Sequence, residues 1–153
     1  MRNDTRLSGI LHVLLHLAQT ERPMTSDTLA NYMNTNAVVV RRTMSGLRDA
    51  GLVRSEKGHG GGWTLARKLS EITLADVYAA LGAPTLFAIG NRNDNPDCLV
   101  EKAVNSALGE TLREAEAMVA ARLANISLAD IAADFAGRIS QHRTHSEQGK
   151  CHA

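Results

Sequence analysis

Four of the five residues from 58 to 62 are glycine, and this short run limits the fold more than any other part of the chain. Glycine adds no side chain to a core and costs extra ordering entropy, so four together mark backbone that turns sharply or lies close against other backbone. The flanks say which structure turns. Leu52-Val53-Arg54-Ser55 on one side and Trp63-Thr64-Leu65 on the other carry the residue types and alternation of short strands. The segment from Glu56 to Gly62 therefore reads as a hairpin tip, with Lys57 and His59 as its cationic and titratable side chains. A phosphate-cradling loop is the competing reading. It needs a helix N-terminus directly after the glycines, and a strand pattern stands there instead.

The residues before the hairpin are helical. Leu7, Ile10, Leu11, Leu14, Leu15 and Ala18 recur on one helical face, widened by Val13 and Leu17. Pro23 ends the pattern. His12 and His16, four apart on this helix, have the spacing of a metal-binding pair, but no third ligand type lies nearby and they are read as a packed or half-exposed pair. Thr25-Ser26-Asp27 offers N-caps for a short helix carrying Leu29, Ala30 and Met33. The polar stretch Asn34-Thr35-Asn36 separates it from a third helix with Val39, Val40, Met44 and Leu47, closed by Gly51 as the left-handed residue.

Two short helices joined by a tight polar turn form a helix-turn-helix, whose second helix enters a DNA major groove. The residues expected to face DNA there are Thr35, Asn36, Val38, Arg41, Arg42 and Ser45. Asparagine pairs bidentately with adenine and arginine with guanine. Any αα-hairpin with a basic face shares this pattern, so a winged-helix module docking on an acidic protein partner is the alternative.

Charge leaves a polyanion contact and a solvated face equally open. The chain carries a net charge of +1, yet between Val38 and Lys68 seven Lys and Arg stand against two acids. Aromatic residues make up only 3% of the chain, which leaves a core of Leu, Val, Ile and Ala and a mainly helical fold. No apolar run approaches the ~18 residues of a membrane span. Met1-Arg2-Asn3-Asp4 lacks the features of a secretory signal, and two cysteines make no disulfide framework. A cytoplasmic protein without membrane contact is expected. No metalloprotease helix, nucleophile elbow, Walker loop or dinucleotide fingerprint is present, so no enzyme is expected.

The run Lys57-Gly58-His59-Gly60-Gly61-Gly62-Trp63-Thr64-Leu65-Ala66-Arg67, followed by Ile72-Thr73-Leu74-Ala75-Asp76-Val77, resembles the Rrf-two-type winged-helix regulators of bacteria. Leu29-Ala30, Val40-Arg41-Arg42 and Leu47-Arg48-Asp49-Ala50-Gly51-Leu52-Val53 match the same pattern. The resemblance covers roughly the first four-fifths of the chain. It implies a dimeric DNA-binding repressor or activator, a repressor being expected here, whose wing cation enters the minor groove. That cation falls on Lys57, with His59 and Gly60 beside it at the wing tip. Many members hold an iron–sulfur cluster through three cysteines in the segment corresponding to about residues 90 to 110. Here that segment contains Cys98 alone, so the chain resembles the cluster-free branch and no cofactor is expected.

The second half reads as dimerisation machinery in its own right. Asn95 with Pro96 opens a long helix in which Val100, Val104, Ala107, Leu108, Leu112, Ala115, Met118, Val119 and Leu123 form a stripe. A helix of that length in a small protein calls for a partner surface, and a two-fold dimer would set two recognition helices about 34 Å apart on a palindromic operator. Ile72-Thr73-Leu74-Ala75-Asp76-Val77 and Ile126-Ser127-Leu128-Ala129-Asp130-Ile131 share a helix-start signature, read as common capping chemistry. Cys98, near the N-terminus of the long helix, is a candidate thiol sensor, with a small buried hydrophobe as the plain alternative. His142, His145, Cys151 and His152 are weak metal candidates in the tail.

The expected architecture is mainly α with a small β-hairpin wing. It comprises a winged helix-turn-helix over 1–82, a loop over 83–97 that could take an unidentified effector, dimerisation helices over 98–138 and a flexible tail over 139–153.

Overall fold

The computed structural model describes residues 4–94 and 97–148, with side chains as far as residue 138. The chain runs α1 (Arg6–Leu17), α2 (Ser26–Met33), α3 (Ala37–Asp49), β1 (Val53–Glu56), β2 (Gly62–Leu65), a 3-10 turn (Leu69–Glu71), α4 (Leu74–Ala80), α5 (Leu99–Ala124) and α6 (Leu128–Gln148). This is a mainly helical winged-helix fold with one two-stranded antiparallel sheet.

The apolar face read from α1 is the centre of the core. Ile10, Val13, Leu14 and Leu17 meet Leu29 of α2, Val40, Met44 and Leu47 of α3, Trp63 of β2, Val77 of α4 and Leu128 of α6. α2, α4, β2 and α6 pack directly on α1, and α3 joins the core through α2, α4 and β1; burial of some ten aliphatic side chains at about 1.5–3 kcal/mol each supplies the driving force. Local signals set the ends. Thr25 caps α2 by accepting from the Thr28 N–H, and Asn36 caps α3 by accepting from the Val39 N–H at 3.0 Å. Gly51 takes φ +72° after α3, as the sequence pattern anticipates.

The two related helix starts lie side by side. Leu74 N–H donates to the Ile126 carbonyl and Leu128 N–H to the Ile72 carbonyl, each at 2.9 Å, so Thr73 and Ser127 form an antiparallel bridge. Each hydroxyl residue also closes its own capping box, Thr73 with Asp76 and Ser127 with Asp130. The shared capping chemistry is thus also a clasp that fixes the start of α6 beside the start of α4.

Two boundaries differ from expectation. α5 begins at Leu99 with Cys98 as N-cap, not at Asn95 and Pro96, which lie outside the described residues. Upstream of it the Asn105 amide donates to the Asn93 carbonyl, so the incoming segment folds back along α5 and is not in line with it. The flexible tail expected after Arg138 is helical as far as Gln148. Polar composition suggested a tail, but residues 139–148 contain no Pro or Gly, the residues that end helices. The side chains of His142 and His145, and the whole of Cys151 and His152, lie outside the described residues.

Candidate nucleic-acid interface

The wing is held by three strands' worth of backbone. β1 and β2 pair in the register Val53–Leu65, Arg54–Thr64, Ser55–Trp63 and Glu56–Gly62. Met24, just before α2, exchanges both backbone hydrogen bonds with Trp63, at 3.0 and 2.8 Å. The glycines fit this crowding. A Cβ on Gly61 would lie 2.3 Å from the Glu56 carbonyl oxygen, and one on Gly62 would lie 2.5 Å from that of Met24. The close backbone approach expected of the run is present at Gly61 and Gly62, at the β2 end of the tip, whereas a Cβ on Gly58 or Gly60 would meet nothing within 4 Å. Lys57, Gly58, His59 and Gly60 between them are exposed.

α2 and α3 are joined through Asn34, which adopts the left-handed conformation at φ 49°. Val40, Met44 and Leu47 bury one side of α3, which leaves Val38, Val39, Arg41 and Arg42 exposed on its outer side, while Thr43 and Ser45 are half-buried. Among the described residues neither Arg41, Arg42 nor Lys57 enters an ion pair, whereas Arg48 pairs with Asp49 at 3.1 Å. A shallow cleft brings Arg41 together with Thr25, Asp27, Ser55, Glu56 and Gly61. One edge of the molecule thus presents Arg41 beside the root of the wing.

Asn36, expected as a base reader, is exposed at the N-cap of α3. Its Oδ1 is engaged by the Val39 N–H, because the first N–H groups of α3 need an acceptor. The link from Ser26 to the wing was not visible in sequence: the buried Trp63 indole N–H donates to the Ser26 hydroxyl at 3.0 Å. The cap motif Thr25-Ser26-Asp27 flagged the residue for another reason.

The loop after α4 is anchored by the Tyr78 hydroxyl, which donates to the Pro84 carbonyl, and it carries Phe87 half-buried and Ile89 exposed. Cys98 is exposed at the N-cap of α5. The backbone N–H of Glu101, and after it that of Val100, hold its thiol below the ordinary value of 9.0. None of the side chains of α5 is buried: Val100, Val104, Leu108 and Met118 are exposed, while Leu112, Ala115, Val119 and Leu123 are half-buried. No helix among the described residues is long and apolar enough to cross a membrane.

Comparison with known proteins agrees with this geometry. Residues 3–134 match the Rrf2 family model, described as an iron-dependent transcriptional regulator. YwnA of Bacillus subtilis, named as an HTH-type transcriptional regulator, is 35% identical over 129 residues, covering 84% of this chain and 95% of that protein. A crystal structure described as that of a DNA-binding protein superposes with a TM-score of 0.66 at 32% identity, covering 82% of this chain and 97% of the other. The oxidised form of CymR from Staphylococcus aureus shares the fold, with a TM-score of 0.60 at 23% identity over 86% of this chain and 96% of CymR.

Among the described residues no set of side chains fits an iron–sulfur cluster. The chain has two cysteines, and among the described residues no three of His, Cys, Asp and Glu converge as a ligand set. Cluster ligation needs several thiolates or imidazoles around one point.

Proposed function

The chain belongs to the Rrf2 family of DNA-binding transcriptional regulators, and from that premise we propose that it is a repressor that binds a palindromic operator as a homodimer. The family and the relatives are regulators and not enzymes. The observation that carries the proposal is the shared edge of α3 and the wing, where Arg41, Arg42 and Lys57 are exposed and unpaired among the described residues. In this reading α3 lies in the major groove. Arg41 and Arg42 read guanine edges, Val38 meets thymine methyl groups, and Thr35, Asn36 and Ser45 hold the backbone or adjacent bases. Lys57, His59 and Gly60 at the wing tip follow the neighbouring minor groove.

Homodimerisation is supported by α5. A helix of 26 residues is about 39 Å long, and its Val100, Val104, Leu108 and Met118 are left exposed by the described residues. A second copy lying across it would bury them and set the operator's half-site spacing. Thiol responsiveness is proposed at Cys98, on the strength of its exposure and the two backbone N–H groups that favour its thiolate.

The deciding experiment is fluorescence anisotropy with duplexes from the regulator's own promoter region, intact and scrambled, at physiological salt. Selective binding to a palindrome, weakening steeply with salt, is the expected result. Equal competition by scrambled DNA would instead favour docking of Arg41, Arg42 and Lys57 on an acidic protein.

A further inference from the structure

On the far side of α1 from its core stripe, His12 and His16 turn their rings toward each other. Their Nε2 atoms are 2.9 Å apart, one donating to the other. Both rings rest on Tyr32 of α2: His16 stacks on it at 4.2 Å between centroids, and His12 meets it edge-on at 6.1 Å. The pair forms part of the wall of a cavity of about 480 Å³ between α1 and α6, which is open to solvent and also lined by Asp134 and Arg138. His12 is exposed and His16 half-buried, so both nitrogens can be reached. We propose that His12 and His16 form a chelating site for a divalent transition metal of tetragonal preference, nickel(II) or copper(II), with water in the remaining positions.

The separation suits a cis pair of nitrogens. Imidazole nitrogen binds first-row metals at about 2.0–2.1 Å. A metal at that distance from two nitrogens 2.9 Å apart subtends an angle of about 90°, the cis angle of square-planar and octahedral complexes. A tetrahedral ion such as zinc would need the nitrogens about 3.3 Å apart. Among the described residues no third His, Cys, Asp or Glu completes the set, and the open side of the cavity leaves room for the waters. Asp134 faces the same cavity from α6, already paired with Arg138 at 2.7 Å. The Tyr32 ring does for the pair what outer-shell partners do in metal sites generally, fixing ring orientation before the ion arrives.

The test is calorimetric titration of the untagged full-length chain with nickel(II) and with copper(II), repeated on His12→Gln and His16→Gln. Copper-loaded samples are also read by electron paramagnetic resonance for nitrogen coupling. Glutamine keeps a hydrogen bond and removes the imidazole. His12 is exposed, so its variant retains the fold, as circular dichroism of each variant checks. Each substitution is expected to weaken binding at this site at least 10–100-fold, the range seen for losing merely an outer-shell partner, and to remove the coupling of two equivalent nitrogens. Unchanged stoichiometry, affinity and spectra in both variants would overturn the proposal and leave a hydrogen-bonded histidine pair. Loss of all binding in His142→Gln/His145→Gln, with His12 and His16 intact, would overturn it equally. Neither outcome bears on DNA binding, which is read separately.

Discussion

The indole N–H of Trp63 and the hydroxyl of Ser26 meet at 3.0 Å in a buried position, 37 residues apart in sequence. With the Met24–Trp63 backbone pair beside it, this bond sets the wing against the start of α2. Removing one partner strands the other without water. Ser26→Ala is expected to lower stability by about 1–3 kcal/mol, the cost of a buried unsatisfied donor. Trp63→Phe also removes it and opens a small void, so the double variant should cost less than the sum of the two. Urea denaturation of the four forms checks this; additive losses would show that the bond contributes nothing.

The wing glycines can be separated from the others. Gly62→Ala would press a methyl into the Met24 carbonyl at 2.5 Å, and Gly61→Ala into that of Glu56 at 2.3 Å. Both should weaken DNA binding strongly. Gly62→Ala should lose stability as well, by about 1–3 kcal/mol, because backbone on both sides must shift. Gly90→Ala, with nothing within 4 Å, is the control and should be neutral in both assays. Thermal melts and operator binding measured together distinguish a displaced wing from an unfolded domain.

Arg41→Ala and Lys57→Ala should differ in kind. Loss of a guanine-reading arginine relaxes selectivity at one base position by about 1–3 kcal/mol. Loss of a wing lysine weakens binding most on A·T-rich flanks and lowers the salt slope by about 1. Selection from a randomised duplex library, followed by titration at several salt concentrations, reads both. Identical effects of the two substitutions on selectivity would contradict the assignment of roles.

Asp130 accepts from the backbone N–H and then the hydroxyl of Ser127, which holds its carboxyl below the ordinary 3.8. A carboxylate whose folded value is depressed stabilises the fold above its unfolded value and loses that contribution as pH falls through the folded one. Asp130→Asn should therefore be less stable than the parent at neutral pH by a constant margin. The margin should shrink as pH drops below about 3.8. Denaturant midpoints between pH 7 and pH 2.5 check the sign; a margin that widened in acid would be the wrong way round.

The thiol of Cys98, held below 9.0 by the N–H groups of Glu101 and Val100, should react with iodoacetamide along a pH curve whose midpoint lies below that value. Cys98→Ser, which retains Cys151, isolates the contribution. Operator affinity of the reduced protein before and after peroxide then tests whether the reaction matters for function. No change in affinity would restrict Cys98 to capping α5.

Much of the winged domain was legible because its signals are local. The period of α1, the caps at Thr25 and Asn36, Gly51 and the glycine run each act within a few residues, where helix and turn chemistry is decided. Asn36 shows the limit of such reading. One side chain can serve a base or a helix end, and only the geometry assigns its oxygen to Val39. The Ser26–Trp63 bond and the Thr73–Ser127 bridge join residues far apart in sequence, and no spacing rule links such positions. The start of α5 was misplaced for a related reason: Asn95-Pro96 has good helix-start chemistry, but Asn105 holds the Asn93 carbonyl and turns the chain. The convergence of His12 and His16 depends on rotamers that spacing alone does not determine.

The Thr73–Ser127 bridge has a consequence for how such a molecule can change over evolutionary time. Because 72–74 and 126–128 are clasped together, the end of α5 is returned to the start of α4, which itself packs in the core of the winged domain. The intervening helix is then a dimension that can be altered without rebuilding the head. Adding seven residues to α5 inserts about two turns and lengthens it by about 10 Å while keeping the same face outward. In the proposed homodimer, a change in the length of this one helix would retune the distance between the two half-sites and leave the side chains of α3 where they are.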